Sequence, residues 1–427
     1  MRSNPTKVLW FTNTTSAAAE FLKMPTIGGG WINSLEEKIK ETENIKLAVA
    51  FKHGKKKLNK FIKGNTTYYA IPNNSSKIKQ IFRSHLNILS DDQLIAYCLE
   101  IIDDFEPDII NIFGTEAGFG LIISKIKIPV VIHLQGILTV LKLKWFSANI
   151  NKIDLLFNSN IKSQLKANTL IHDYNYLKKE SYRELQIFKI CKHFMGRTDW
   201  DRRVTSILAP DAEYFISNEI LRKEFYLNKW NQNVQTTKIF VSTIKANIYK
   251  GLETILESAI LLKKINKFNF NWFVVGISAN DLIIRLFEKK IGKQFKAFNI
   301  VFLGKMVACD LLKIELKADI FVHPSHIDNS PNSLCEAMLL GIPVIATCSG
   351  GTSSLLIDKK EGILIQDGDP YSMAGAILEL VTNPNYAAEL GQNARKRALN
   401  RHDPDSIVKN IINIYSKLLS EYESVTS

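Results

Sequence analysis

Short apolar runs rich in Val, Ile and Phe alternate with amphipathic, helix-like segments from one end of the chain to the other. This alternation is typical of βα units, in which the strands of a parallel sheet are joined by helices. Several runs are apolar at nearly every position, as expected for strands that are covered by helices on both faces. We predict the strands Lys7–Phe11, Lys46–Phe51, Thr67–Ile71, Asp108–Phe113, Pro129–Leu134, His193–Gly196, Lys238–Thr243, Asn271–Val275, Asn299–Leu303, Asp319–His323, Pro343–Thr347 and Gly362–Ile365.

Residues 215–237 interrupt this alternation, because Ser217–Trp230 reads as a charged helix and 231–237 reads as a polar linker. A chain of 427 residues also exceeds one comfortable hydrophobic core. We therefore predict two Rossmann-like, doubly wound α/β domains that face each other across a cleft, residues 1–215 and 216–404. Residues 405–427 carry apolar side chains at helical spacing and predict a closing helix, whose return to the N-terminal domain is left open.

The composition, 46% hydrophobic and 23% charged, is that of an ordinary globular protein and excludes a disordered or collagenous chain. The five cysteines are scattered and form no C-x-x-C motif, so we expect neither a zinc ribbon nor a disulfide framework. No export signal is visible, and no apolar stretch reaches the ~18 residues that span a bilayer. We expect a cytoplasmic protein.

The 55 basic and 42 acidic residues leave a net charge of +13, which attracts polyanions without selecting one. Much of this excess is explained by a lysine-rich composition. Within Lys52–Lys63, the side chains of Leu58, Phe61 and Ile62 would share one helical face among six lysines. This pattern suggests peripheral contact with an anionic membrane, although a solvated cationic loop is the favoured interpretation.

The segment Ala318–Met338 carries the richest chemistry, because a buried strand ends there in a polar loop that opens a helix. Its carboxylates Asp328 and Glu336 are eight residues apart, with Glu336 expected in the first helical turn. Carboxylates at the carboxyl end of a strand can accept paired hydrogen bonds from vicinal sugar hydroxyls. Ser333-x-x-Glu336 also fits a helix capping box. The polar loop 329–332 and the glycine-rich segment that follows favour the ligand-binding interpretation.

Three glycine-containing turns also follow predicted strands. Gly350-Gly351-Thr352 follows Pro343–Thr347, and its amides at a helix start would favour a phosphate. Lys250-Gly251 follows the first strand of the second half, where an ammonium can neutralise a departing diphosphate. In the first half, Gly28, Gly29 and Gly30 suggest a backbone that passes close to a substrate.

His133 lies at the end of the strand Pro129–Leu134, where its side chain can enter the cleft. It could act there as a proton partner or a hydrogen-bond donor, or it could be a structural residue of the core. The acidic D-x-D pairs beginning at Asp199, Asp367 and Asp403 are too short to indicate a metal site. Asp369-Pro370 instead predicts a helix start, with aspartate as N-cap and proline at the first position.

The second half resembles the donor domain of GT-B glycosyltransferases, in particular the large retaining family four. The motifs that carry this resemblance are the Asp328/Glu336 pair, Ala337-Met338-x-x-Gly341-x-Pro343, Gly350-Gly351 and Lys250-Gly251. Weaker family features are Gly28–Gly30 and His133, and Gly196–Arg202 resembles a signature of bacterial polysaccharide-assembly members. The overall pattern covers nearly the whole chain.

The resemblance implies roles for these residues. Glu336 would hold the nucleotide ribose, Asp328 the transferred sugar, and His133 the sugar near its reacting carbon. Lys250 and the turn at Gly350, Gly351 and Thr352 would hold the diphosphate. The remaining residues expected at the donor site are Lys245, Asn329, Ser330, Asn332 and Ser333.

The chain departs from the family pattern at three points. Asp328 stands where family members usually carry Glu, and Asn329–Ser333 replaces a glycine-rich loop tip. The family's Arg before the Lys is missing, since Ser242-Thr243-Ile244 occupies that stretch, and Lys245 is the candidate replacement. The resemblance implies that no metal and no other cofactor is needed, because fixed cations and helix dipoles offset the leaving diphosphate.

We therefore expect a metal-independent retaining glycosyltransferase that moves a hexose from a UDP- or GDP-linked sugar to a lipid-linked or polysaccharide acceptor. The nearest alternatives are other enzymes of the same fold, a nucleotide-sugar epimerase or a phosphorylase. A cofactor-dependent phosphorylase is disfavoured because it would need a Schiff-base lysine and a much longer chain. A non-catalytic GT-B scaffold is a further alternative. A basic nucleic-acid-binding protein is an alternative from charge alone, but no helix-turn-helix, RNP or zinc pattern supports it. We expect no nucleic-acid partner.

Overall fold

The computed structural model describes residues 5–22, 30–54, 57–72, 91–158, 164–165, 168–232 and 236–426. The chain divides into two compact units. The first unit comprises Met1–Lys142, Leu165–Ile220 and Asp403–Ser427, and the second comprises Leu143–Gln164 and Leu221–His402. Each unit is built around a largely parallel sheet with helices on both faces, which confirms the predicted fold class.

The first unit contains an eight-stranded sheet in the order β3-β4-β2-β1-β5-β6-β7-β8. All neighbouring strands are parallel except β3, which pairs antiparallel with β4. The strands are β1 (Thr6–Thr12), β2 (Ile45–His53), β3 (Asn59–Lys63), β4 (Thr66–Pro72), β5 (Ile109–Phe113), β6 (Val130–His133), β7 (His193–Gly196) and β8 (Glu213–Ile216). The helices are α1 (Ala18–Phe21), α2 (Gly30–Ile39), α3 (Asp91–Phe105), α4 (Leu138–Leu141), α6 (Leu170–Ile190), α7 (Asp199–Leu208) and α15 (Pro404–Thr426).

The second unit contains a six-stranded parallel sheet in the order β11-β10-β9-β12-β13-β14. Its strands are β9 (Thr237–Thr243), β10 (Asn269–Val275), β11 (Ile300–Gly304), β12 (Ile320–His323), β13 (Val344–Thr347) and β14 (Ile363–Ile365). Its helices are α5 (Lys152–Phe157), α8 (Lys223–Leu227), α9 (Leu252–Ile265), α10 (Leu282–Ile291), α11 (Ala308–Glu315), α12 (Asn332–Leu340), α13 (Pro370–Thr382) and α14 (Pro384–Arg401).

Strand β1 shows why the first sheet is buried on both faces. Val8 and Trp10 belong to one apolar cluster, whereas Leu9 and Phe11 belong to another, as the two-residue period of a strand requires. Helix α15 covers the face that carries Trp10, through the side chains Ile407, Ile411, Ile414, Tyr415 and Leu418. The Tyr415 hydroxyl accepts hydrogen bonds from Trp10 Nε1 at 3.1 Å and Asn111 Nδ2 at 2.8 Å, which pairs two buried donors.

Every predicted strand is present, with its ends within two residues of the predicted ones. The predicted helix Ser217–Trp230 is wrong, since only Lys223–Leu227 is helical. Asp369 caps α13 at Tyr371 and Ser372, with Pro370 at its first position, which confirms that predicted helix start. Residues 143–164 belong to the second unit, whereas the predicted boundary assigns them to the N-terminal domain.

The predicted helical face in the basic stretch Lys52–Lys63 is also wrong. Residues 59–63 form strand β3, and Phe61 stacks on Tyr68 of β4 with ring centroids 5.2 Å apart. Because neighbouring side chains of a strand point to opposite faces, Phe61 and Ile62 cannot share one face. Lys55 and Lys56 lie outside the described residues. Among the described helices, none has both the length and the apolar character needed to cross a membrane.

Candidate active site

The order in which the chain adds strands to the second sheet reverses between β9 and β12. These two strands are neighbours, while the chain after β9 continues to β10 and β11 on one side and the chain after β12 continues to β13 and β14 on the other. In open α/β sheets, ligands bind beyond the carboxyl ends of the strands at such a switch point. A short 3-10 turn, Ile248–Lys250, follows β9, and residues 324–331 connect β12 to α12.

Lys250 and Asp328 meet at this switch point. Lys250 Nζ lies 2.5 Å from Asp328 Oδ2, and the two side chains are 13% and 20% exposed. His323 Nε2, at the end of β12, lies 3.5 Å from the same oxygen. Burial acts to raise the pKa of Asp328, but the charge of Lys250 and the hydrogen bond from its ammonium outweigh burial and lower the pKa. The site therefore holds an ionised carboxylate against an ammonium.

His323 itself is buried, and burial lowers its pKa to about 4 although Asp328 acts in the opposite direction. The imidazole is therefore neutral near neutral pH. His323 belongs to no motif that marks a site in the sequence. Its place at the end of a buried strand, five residues before Asp328, is the signal that could have identified it.

Glu336 is held by an arginine rather than by its own helix. Helix α12 begins at Asn332, and its N-cap residue is Pro331, which makes no side-chain cap. The alternative of a capping box formed by Ser333 and Glu336 is therefore wrong. Glu336 is the fifth helical residue and lies in the second turn, whereas the sequence predicts the first turn. Arg222 Nε and Nη2 each donate to one oxygen of Glu336 at 2.7 Å.

This fork leaves part of the Glu336 carboxylate available. Each carboxylate oxygen can accept two hydrogen bonds, so one position on each oxygen remains for two further donors. Arg222 lies 114 residues before Glu336 in the chain. No local pattern marks that arginine, because the pairing depends on the segment after Leu221 packing beside α12.

Glu315 adds a second buried carboxylate to this cluster. Its side chain is fully buried at the end of α11, and Thr243 Oγ1 donates to Glu315 Oε1 at 3.3 Å. Burial, together with the charge of Glu336, raises the pKa of Glu315 well above its ordinary value. Thr243 stands in the stretch where the family arginine is missing, and its hydroxyl is used for this contact. The side chain of Lys245, the predicted replacement, is exposed.

The Gly350 turn supports the Asp328 loop. Gly350 has φ of +56°, and a Cβ atom at this position would lie 2.0 Å from the Asp328 carbonyl oxygen. The Gly351 amide donates to that same oxygen at 2.9 Å, and the Thr352 amide donates to the Ser349 carbonyl at 3.2 Å. The predicted helix start is a three-residue 3-10 turn, Thr352–Ser354. Two of the amides predicted to bind phosphate are therefore occupied within the chain.

The remaining predicted donor-site residues follow the carboxyl ends of β12 or β13. Asn329 and Ser330 are buried, and the Asn329 amide donates to Asp328 Oδ1 at 3.2 Å. Asn332 and Ser333 are half-buried at the start of α12. The Thr352 hydroxyl is buried and has no hydrogen-bond partner in the part of the chain that the structure describes.

In the first unit, His133 lies in the packed interior. It is fully buried, with its ring centroid 5.0 Å from Trp31 and 5.7 Å from Phe113. Its Nε2 lies 3.3 Å from the Ser217 carbonyl, so Nε2 must carry the proton and Nδ1 presents a lone pair. Burial lowers the pKa of His133 to about 3, which does not fit a proton partner near neutral pH.

Two further predictions concern the first unit. Gly30 begins α2, whereas Gly28 and Gly29 lie outside the described residues. Of the D-x-D pair at Asp199, the buried carboxylate of Asp201 forms a capping box with Thr198 at the start of α7. It also accepts from the Arg197 amide at 3.0 Å, so this carboxylate serves the fold.

Comparison with known proteins finds sequence similarity in the second unit. Residues 225–397 match the family described as Glycosyl transferases group 1. A poly(ribitol-phosphate) alpha-N-acetylglucosaminyltransferase of Staphylococcus aureus is 28% identical over 187 residues, which are 43% of this chain and 36% of that protein. The curated relatives that match with the strongest scores are covered over only 28 to 43% of their own length.

Solved structures resemble the chain over nearly its full length. A sucrose-phosphate synthase of Thermosynechococcus elongatus has a TM-score of 0.72 at 12% identity, covering 97% of this chain and 100% of that one. Anabaena HepE in complex with UDP and glucose has a TM-score of 0.64 at 15% identity, covering 96% and 100%. At this identity the likeness concerns the fold, and the fold is of the GT-B type with two Rossmann-like domains.

Proposed function

We propose that this chain is a metal-independent, retaining glycosyltransferase that moves a hexose from a UDP- or GDP-linked sugar to a lipid-linked or polysaccharide acceptor. The observation that carries the proposal is the pairing of Lys250 with Asp328 at the switch point of the second sheet. Both residues lie within the segment that matches the group 1 glycosyltransferases. An ammonium beside a carboxylate provides one group for a diphosphate and one for sugar hydroxyls.

Glu336 would hold the ribose. The Arg222 fork fixes the carboxylate plane and leaves one accepting position on each oxygen. Two vicinal hydroxyls, such as the 2′ and 3′ hydroxyls of ribose, are a matching pair of donors. Lys250 would contact the diphosphate, whose negative charge grows as the bond to the sugar breaks, together with the free Thr352 hydroxyl.

Asp328 would accept hydrogen bonds from the transferred sugar. Because Lys250 keeps Asp328 ionised, the carboxylate acts only as an acceptor at neutral pH. His133 would contribute its neutral Nδ1 as an acceptor, rather than a proton, to the sugar near its reacting carbon. The first unit would carry the acceptor, and the retention of configuration rests on the resemblance to family four.

A thermal-shift screen with UDP-, GDP-, ADP- and CMP-sugars tests the donor site. We expect sugars of one nucleotide class to raise the melting temperature of the wild-type protein. The same sugars should not raise the melting temperature of Glu336→Ala. Glu379→Ala is the matched control, because Glu379 is exposed on α13 of the same unit. If no nucleotide sugar stabilises the wild-type protein, or if both variants respond like the wild type, the proposed function is wrong.

The type of reaction, the retention of configuration and the independence from metal each have a separate test. Slow donor hydrolysis to nucleoside diphosphate is expected, whereas an isomerised sugar without diphosphate release would indicate the epimerase. NMR of the product's anomeric proton tests retention, and activity that survives EDTA tests the independence from metal. Neither the relatives named above nor the described site supports an epimerase or a nucleic-acid-binding protein.

Peripheral contact with an anionic membrane rests on the positive charge alone, since the predicted helical face is absent. Flotation with vesicles that contain anionic lipid tests it, with charge reversal at Lys57 and Lys60. Equal flotation of wild type and variant would exclude a role for this stretch.

A further inference from the structure

His326 joins three separate segments of the second unit around the Lys250–Asp328 pair. It lies in the connection between β12 and α12, two residues before Asp328, and is 5% exposed. Its Nε2 lies 2.5 Å from Glu253 Oε1 in the first turn of α9, and its Nδ1 lies 3.3 Å from Asp367 Oδ2 after β14. Its amide donates at 2.9 Å to the carbonyl of Tyr249, the neighbour of Lys250.

We propose that His326 is a positioning residue, which fixes the Lys250–Asp328 pair by tying the Asp328 loop to α9 and to the segment after β14. This inference rests on the proposed function and names the residue that sets the geometry of its diphosphate site. Lys250 and Glu253 are three residues apart, so a contact to Glu253 restrains the start of α9 just after Lys250. The amide contact to Tyr249 restrains the other side of Lys250.

The contacts require a charged imidazole. Both ring nitrogens face carboxylates, which accept hydrogen bonds, so both nitrogens must donate and the ring must be an imidazolium. Burial acts to lower the pKa of His326, but the bonds to Glu253 and Asp367 outweigh burial and raise it. The other charged groups near this cluster are Lys144, 3.3 Å from Asp367 Oδ2, and Glu257, whose pKa is raised by burial and by Glu253.

The raised pKa of His326 determines how the stability of the folded protein depends on pH. Because the folded protein binds this proton more tightly than the unfolded chain, the contacts of His326 with Glu253 and Asp367 contribute their full stability below pH ~6.5. That contribution is lost as the pH rises through the raised pKa. A merely structural histidine that stayed neutral would show no such loss on the alkaline side.

Calorimetric titration of UDP and of GDP into full-length protein at pH 6 and pH 9 tests the proposal. We expect His326→Gln to lower the affinity for the nucleotide about tenfold at pH 6, as for loss of a charge-assisted hydrogen bond. The loss of affinity should be smaller at pH 9. Asp367→Asn, at a half-exposed position, should act in the same direction if His326→Gln folds poorly. His172→Gln, on α6 of the first unit, is the matched control and should bind like the wild type.

Two results would overturn the inference. One is equal nucleotide affinity of His326→Gln and the wild type at both pH values. The other is additivity of the effects of His326→Gln and Asp328→Asn on the free energy of unfolding, measured by urea unfolding in a double-mutant cycle. We expect the two substitutions to be coupled by about threefold or more in the unfolding constant. This cycle needs no ligand, so it decides the inference even if neither nucleotide binds the wild type, which would refute the proposed function instead.

Discussion

His133 and His323 are the last residues of β6 and β12, so the two units carry a histidine at the corresponding end of a buried strand. Burial makes both imidazoles weak bases, with a pKa of about 3 for His133 and about 4 for His323. Their neighbours differ. His133 packs between Trp31 and Phe113, whereas His323 lies beside the ionised Asp328.

The difference extends to the charges around each strand end. In the first unit, Asn13 after β1 donates to Glu116 after β5 at 3.0 Å, and Arg197 donates to the carbonyls of Leu134 and Gln135. In the second unit, two carboxylates are each held by a cation, in the pairs Lys250–Asp328 and Arg222–Glu336. Both strand ends thus carry charge. In the first unit Arg197 lies 3.8 Å from Glu219 with both side chains almost completely buried, whereas Lys250 and Asp328 in the second unit are 13% and 20% exposed.

Replacement of Glu336 by alanine should have the largest effect. The variant leaves Arg222 without its partner and should lose about 3 kcal/mol in the free energy of unfolding, together with donor binding. Urea unfolding and calorimetry measure the two effects. Glu184→Gln in the first unit sharpens the comparison, because Glu184 is equally buried and holds the amides of Leu138 and Thr139. It should lower stability but leave donor affinity unchanged.

Acid should destabilise both units through their buried histidines. Each folded pKa lies below the ordinary value of 6.5, so the stability linked to the neutral ring is full above pH 6.5 and is lost as the pH falls toward 3 or 4. For each histidine, this linkage should lower the free energy of unfolding by about 2 kcal/mol between pH 7 and pH 5. Urea unfolding of His133→Gln and His323→Gln should show a flatter pH dependence, and an unchanged slope would contradict the burial of the ring.

Gly350→Ala should destabilise the second unit by about 2 kcal/mol, because the added Cβ meets the Asp328 carbonyl and the backbone is left-handed. Gly292→Ala is the matched control, since Gly292 has φ of +72° but open space around it. It should cost about 1 kcal/mol, the backbone strain alone. Equal losses in thermal unfolding would show that the Gly350 turn does not support the Asp328 loop.

Tyr415→Phe should have the smallest effect and should be confined to the first unit. It leaves the buried donors Trp10 Nε1 and Asn111 Nδ2 without their acceptor, at a cost of about 1 to 2 kcal/mol. Urea unfolding measures the loss. Donor affinity should not change, and weaker donor binding by this variant would contradict the assignment of the donor site to the second unit.

The chain's periodicity was sufficient to predict the architecture. An apolar run such as that of β1 is buried on both faces wherever it lies in a parallel sheet, so local residue types were sufficient to place the strands and the closing helix. The placement of Lys250 and Asp328 just after strands followed from the same pattern. The two strands that the pattern missed, β3 and β8, are edge strands with partly exposed residues, whose hydrophobic signal is weak.

Tertiary structure alone decided the partners of the charged groups. Ser333 and Glu336 have the spacing of a capping box, yet Glu336 pairs with an arginine 114 residues away, because the segment after Leu221 packs beside α12. Likewise, His326 becomes a doubly bonded cation only where α9 and the segment after β14 bring carboxylates to both ring nitrogens. Periodicity is a local property that sequence records directly, whereas ion pairing and burial depend on which distant segments the folded chain brings together.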